Sequence, residues 1–353
     1  MKKRTLLLLI LCLLAIIVII IVFYSNSGPT EKKVYKLNHT ELRKLKKEIP
    51  LTIHRYEKAL FSLNYSNMDS LAKGVKKLSS QFPEILIEKD VYKDTLMLKQ
   101  LFYYLNDPII QEIYQSTIQY YPNLDDLKEE LSSALAYYRH YYPEAEIPIF
   151  YTLVPGIDTE MPSVFGYDNQ IFINLDLYLG ENNSHYKKMG IPNYIVERCD
   201  KKYIAIDCFK KALVYKHLPE KKTLTLLDNL LYEGKKLYFT QLMFPERNEQ
   251  DIIGYTLTKY EWAEKYQPDV WNYLIKKELL FSNSSDIIRK FIEEAPFTKP
   301  FTNASPGRLG AFIGWKIIQG YMKNNSNVSL DELMKNTDSQ YILKNSSYKP
   351  LKK

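Results

Sequence analysis

Leu6 to Phe23 is a run of eighteen residues without a charge, and Cys12 is its one departure from aliphatic or aromatic chemistry. As a helix it would span about 27 Å, close to the hydrocarbon core of a bilayer. Met1-Lys2-Lys3-Arg4 precedes it and Ser25-Asn26-Ser27-Gly28 comes after it. Cleaved signals usually carry a shorter apolar stretch that ends in small residues, and here bulky Phe23-Tyr24 stands before the serines. Residues 1–24 therefore read as a signal-anchor or signal segment, with an uncleaved anchor favoured. Its basic end is expected to stay cytoplasmic, which places the body across the membrane. Cys12 opens the alternative of a lipid anchor. Leu11 stands before it where a lipidation signal has a small residue, so a cysteine inside a membrane helix is the better reading.

The folded body must come from the rest of the chain. Residues 25–48 are polar, include Gly28-Pro29, and read as a tether. Residues 49–353 are enough for one globular domain with a sizeable core. Within it, 49–143 is mainly helical in pattern, while 144–353 mixes short strands with helices. The net charge of +7 arises from 48 Lys and Arg against 41 Asp and Glu, scattered along the chain. No segment alternates basic and aromatic residues as a nucleic-acid groove does, so nucleic acid is not an expected partner. Cys199 and Cys208 make a poor disulfide framework and read as two separate thiols.

Periodicity gives the coarse elements. Ile53–Phe61 alternates apolar and polar residues, as a first strand or extended arm would. From Asn67 to Tyr141 the pattern is helical. The clearest case has Asn123 as N-cap, Asp125 and Asp126 in the first turn, and a stripe of Leu124, Leu127, Leu131, Leu135 and Tyr138. Pro143 stops it. Ile147–Leu153 and Gln170–Leu175 are short, β-branched and aromatic, and read as strands of a small sheet. Helices are expected at about 203–217 and 223–243, and then a helical C-terminal third interrupted at Pro268, Pro296 and Pro300. The fold class is α+β, mostly α-helical.

Glu233 draws attention because Leu226, Leu230, Glu233 and Leu237 fall on one helical stripe. A carboxylate there must find a cation, a donor or a proton. The bland reading is a structural ion pair, with Lys210 or Arg308 as partner. The chemical reading is a metal ligand, since zinc peptidases hold their ion with two histidines on one helix and a glutamate on the next. The chain has five histidines, no two of them three or four apart, so no HExxH exists. Ser305-Pro306-Gly307-Arg308-Leu309-Gly310 reads as a helix start with Ser305 as N-cap and Pro306 at the first position. Gly307, Gly310 and Gly314 would then leave one face bare for close packing, with anion binding at the helix start beside Arg308 as the lesser reading. Asp176 ends the second strand, more in the manner of a turn cap than of a catalytic acid. No Ser/His/Asp signature, phosphate loop or CxxC occurs.

Taken in order, several segments resemble the gliding-motility lipoprotein GldB family of Bacteroidota. They are Arg55-Tyr56-Glu57 with Leu60-Phe61, Ile173–Gly180 (INLDLYLG), Leu230–Phe239 (LLYEGKKLYF) and Ile253-Gly254-Tyr255-Thr256. Trp262, Trp271, Ala295-Pro296-Phe297, Ser305–Gly310 (SPGRLG), Gly314-Trp315 and Tyr348-Lys349-Pro350 complete the set. The resemblance covers nearly all of the chain after the tether. It implies a non-catalytic cell-envelope component of the gliding machinery, with a periplasmic body and partners among gliding or type IX secretion proteins. It also implies a degenerate zincin-like domain without cofactor, in which Ile206, Asp207 and Lys210 stand where His, Glu and His would be and Glu233 is retained. Asp176, Glu233, Ser305, Gly307, Arg308, Gly310 and Trp315 become structural or interaction candidates. Two departures are the poor lipidation box around Cys12 and Lys265-Tyr266 in place of an expected Asn-Glu. The rival reading is a divergent metal-dependent hydrolase using Glu233, Asp207 and a distant histidine.

Overall fold

A four-stranded sheet of order β1-β2-β4-β3 organises the molecule. The structure is a computed structural model, and it describes residues 36–82, 91–220 and 224–351. The apolar run at Leu6–Phe23, and with it the expected anchor, lies outside those residues. Among the described residues no helix is long and apolar enough to cross a membrane.

In chain order, α1 (His39–Glu48) precedes β1 (Ile53–His54), α2 (Tyr56–Phe61), α3 (Met68–Gln81), α4 (Thr95–Asn106), α5 (Pro108–Tyr120) and α6 (Asp125–Tyr141). The sheet is completed by β2 (Ile149–Leu153), β3 (Val164–Tyr167) and β4 (Gln170–Asn174). Short helices α7 (Ser184–Lys188) and α8 (Asn193–Val196) lead to α9 (Ile204–Lys211) and the long α10 (Leu226–Met243). The last third holds α11 (Glu249–Ile253), α12 (Leu257–Lys276), α13 (Ser285–Ile292), α14 (Leu309–Asn324), α15 (Leu330–Lys335) and α16 (Ser339–Ser346). The described chain is thus mostly helical with a small sheet, an α+β arrangement.

β2 runs parallel to both β1 and β4, and β3 returns antiparallel on β4. Every residue of β4 is buried, as expected for a strand covered on both faces. One face carries Tyr151 and Phe172 into a cluster with Tyr56, Leu60, Leu71, Val75 and Leu98 from the N-terminal helices. α9 packs against β3 and β4.

Several local expectations change. Of Ile53–Phe61, only two residues are strand. Tyr56 and Leu60, four apart and both buried, turn the remainder into α2. Within 25–48, His39–Glu48 is helical, closed by a capping box between Asn38 and Glu41, and it lies against α6. α6 begins one residue later than expected: Leu124 is its N-cap, while Asn123 Oδ1 still accepts from Asp125 N at 3.1 Å. The helix expected over 203–217 breaks at Ala212, where φ is −128°, and a 3-10 turn (Leu213–Lys216) comes next. β3 has no counterpart in the periodicity of the sequence.

The longest packed contact joins α10 to α14. A Cβ on Gly314 would stand 1.7 Å from the Leu230 carbonyl oxygen, and one on Gly234 would stand 2.3 Å from the Gly314 carbonyl carbon. Only glycine at both positions lets the two backbones meet.

Candidate functional site

α9 and α10 pack against each other, and each carries buried charged residues. A 3-10 turn capped by Asp200, which accepts from Lys202 N at 2.9 Å, leads into α9. Ile204 through Lys210 are then all buried, charged residues included. α10 starts at a Thr225/Asp228 capping box, which satisfies its first amides. That start sets Glu233 two turns into the helix, 8% exposed.

Asp207 is the first hub. Its Oδ2 accepts from Tyr178 Oη at 2.8 Å and meets Lys211 Nζ at 2.8 Å. Its Oδ1 faces Lys210 Nζ at 3.4 Å and Arg198 Nη2 at 3.8 Å. Burial alone would raise this carboxyl, but Lys211, Lys210 and Arg198 outweigh it and hold it well below the usual range. Arg198 also pairs with Glu294. Arg308 takes that same Glu294 at 3.1 Å and Glu233 at 3.3 Å, and Lys236 closes the chain on Glu233 at 3.0 Å. Desolvation against the neighbouring arginines would raise Glu294, whose side chain is half-exposed, but Arg198 and Arg308 pull it down to about 2. Lys210, 2% exposed, is lowered to about 7 because burial outweighs the attraction of Asp207.

Arg308 reaches this position from a left-handed backbone, φ 56° and ψ 31°, at the N-cap of α14. For a residue with a Cβ that conformation costs on the order of 1–2 kcal/mol. The two ion pairs hold it there, an instance of local strain retained at a charged centre. The expected helix start at Ser305 is corrected accordingly. Ser305, Pro306 and Gly307 form a loop sewn to Thr298. Ser305 Oγ accepts from Thr298 N at 3.2 Å, and Thr298 Oγ1 donates to the Pro306 carbonyl at 2.8 Å. Thr298 Oγ1 also accepts from Leu309 N at 3.4 Å, which replaces the missing side-chain cap.

The glycines consequently face different neighbours rather than one. A Cβ on Gly307 would meet the Ala295 carbonyl oxygen at 2.2 Å and one on Gly310 the Phe291 carbonyl oxygen at 2.8 Å, while Gly314 meets α10. Trp315 is fully buried and donates from Nε1 to Gln241 Oε1 at 3.1 Å. Asp176 serves another segment. Its Oδ2 accepts from the amides of Gly156 and Ile157 at 2.7 and 2.6 Å, and both residues have positive φ. Burial lifts its carboxyl to about 6 despite those bonds. Ile206 is fully buried. Cys199 and Cys208 are both buried and free.

Of the two expected partners of Glu233, Arg308 pairs with it, while Lys210 is held by Asp207 and by the Ile252 carbonyl at 2.9 Å. Asp207, Lys210, Glu233 and Arg308 therefore share one network. Arg198, Lys211, Lys236, Tyr178 and Glu294 belong to it as well, and sequence reasoning missed them. Lys211 and Lys236 stand four and three residues after Asp207 and Glu233 on the same helices, a spacing that could have found them, whereas Arg198, Tyr178 and Glu294 come from other segments of the chain.

A divalent ion does not fit this arrangement. Among the described residues no group of three or more His, Cys, Asp or Glu side chains is placed to hold a metal. Asp207 and Glu233 are each engaged by at least two cations, where a metal site keeps its carboxylates free for the ion. His217 bonds Tyr138 Oη at 2.9 Å and stacks on Tyr142. A cavity of about 280 Å³ opens beside the network.

The family described as gliding motility protein GldB matches residues 38–350. No curated protein and no solved structure matches the chain.

Proposed function

The chain belongs to the GldB family of gliding-motility proteins, and from that premise we propose that it is a non-catalytic envelope component of the gliding machinery. In this reading its N-terminal segment holds it at the membrane and its body faces the periplasm. It works by docking other gliding or type IX secretion proteins. The α9–α10 frame stands where a zinc peptidase would keep its ligands, and it is used for binding instead of hydrolysis.

The observation that carries this reading is the state of the two inward carboxylates. Asp207 and Glu233 are each paired with two or more lysine or arginine side chains. A general base needs a carboxylate free to take a proton, and a metal ligand needs one free to coordinate. A carboxylate that cations hold far below its ordinary pKa is a poor proton acceptor.

The direct test is removal of the gene, which should stop the spreading of cells on agar, with spreading restored by the full chain. Metal analysis of the purified protein should show no stoichiometric zinc. Normal spreading of the deletion strain, or one equivalent of zinc that disappears in Glu233→Ala, would overturn the proposal.

A further inference from the structure

The partly buried network holds more cations than carboxylates. Its ion pairs join five cations, Arg198, Lys210, Lys211, Lys236 and Arg308, to three carboxylates, Asp207, Glu233 and Glu294. With Lys210 counted as neutral, positive charge still exceeds negative. Asp207, Lys210 and Arg308 are buried while Lys211 and Glu294 are partly exposed, and the cost of holding the buried cations out of water falls when a counter-charge enters.

The cavity supplies the entrance. Arg198 and Lys211 line it together with Ser163 and Tyr178. Lys211 has three N–H donors, of which Ser163 Oγ at 2.7 Å and Asp207 Oδ2 engage two. Arg198 has five, and its ion pairs with Glu294 and Asp207 run through Nη1 and Nη2. Both cations keep donors for a further acceptor. Asp207 and Glu294 also line the space, which disfavours a dianion and leaves room for a single negative charge. The remaining walls include Met161, Pro162, Leu177, Tyr194 and Ile195. A small polar anion would leave these apolar walls without a partner.

We propose that this cavity binds a carboxylate carried on an apolar group, as at the C-terminus of a polypeptide whose last side chain is hydrophobic. Arg198 and Lys211 take the carboxylate, and the side chain lies between Met161, Leu177 and Ile195. About 280 Å³ suits one such residue and excludes a folded surface, so the partner offers an end rather than a face. The inference rests on the docking function proposed above and names the chemistry that the docking site takes.

The test is calorimetric titration of the full chain in detergent with a pentapeptide that ends in a free phenylalanine carboxylate. The same peptide as its C-terminal amide, phenylacetate and inorganic phosphate serve as comparisons. Saturable binding of the free acid, with the amide and phosphate at least tenfold weaker, is expected. Lys211→Gln should weaken the free acid about tenfold. Met161→Asp, at an exposed rim position, should do the same with the thermal midpoint unchanged, which separates site from fold. Phenylacetate as tight as the peptide supports the same chemistry with a small acid as the source. Equal binding of acid and amide, or binding of neither, overturns the site. Should that happen while gene deletion still stops spreading, the docking function stands and only this site falls; normal spreading with tight peptide binding has the converse meaning.

Discussion

α10 makes two very different contacts within two residues. Through Gly234 it meets the backbone of α14 with no side chain between them. Through Glu233 it meets Arg308 and Lys236 by charge. The first contact is dry and has one geometry, because nothing can be inserted. The second is a set of long side chains with donors to spare, buried at a cost that its partners offset. The difference teaches that one helix can fix its position through backbone contact while its neighbouring polar residue is held by long, charged side chains.

Breaking the backbone contact should have the largest effect. Gly314→Ala drives a methyl group into the Leu230 carbonyl, and we expect a loss of about 4 kcal/mol in urea unfolding, enough to cut soluble yield. Near-normal stability would mean that the helices do not touch as described. Next comes Glu233→Leu, which leaves Arg308 with Glu294 as its remaining carboxylate among the ion pairs described. A loss of about 3 kcal/mol is expected. Glu233→Leu combined with Arg308→Met should lose less than the two single changes summed, since the cost is that of an uncompensated charge.

Titration sharpens the electrostatic half. Glu294 has a folded value of about 2 against an ordinary 4.5. The unfolded chain therefore takes its proton first, and the stability Glu294 contributes is present above pH 4.5 and lost on acidification towards pH 2. Lys210 behaves in the opposite region, being about 7 when folded against 10.5. Between those values the unfolded chain holds a proton that the folded chain lacks, so stability rises with pH there. Lys210→Met should flatten that limb in unfolding curves taken from about pH 7 to about pH 10. The smallest effect is expected for Lys236→Ala, about 0.5 kcal/mol, because Glu233 keeps Arg308 as its partner and an i,i+3 pair adds little.

Much of the architecture was legible where a pattern repeats over several residues. β2 and β4 announce themselves as IFYTL and QIFIN, and the α6 stripe of leucines is buried from Leu127 onward. β3 escaped because VFGY is four residues long, with a glycine and an exposed end. Glu233 could be singled out from its place among leucines, and the need for a cation pointed to Arg308. Arg198 and Glu294 could not be found that way. They lie 96 residues apart, and each looks like an ordinary surface charge until the chain folds. The Ser305 cap misled because Ser-Pro-Gly carries a strong local signal that Thr298, from an adjacent loop, overrides. Gly234 had a signal, a glycine in a helix interior, but its meaning depends on Gly314 opposite.

The pairing of β1 with β2 has a kinetic consequence. His54 and Thr152 are 98 residues apart in the chain, yet they sit on neighbouring parallel strands. A ribosome must deliver everything up to β2 before the first strand has anywhere to go. Closing so wide a loop is slow compared with helix formation. The opening stretch of the domain therefore waits, unsealed, for synthesis to catch up, and during that interval the nascent polypeptide remains open to whatever machinery handles it.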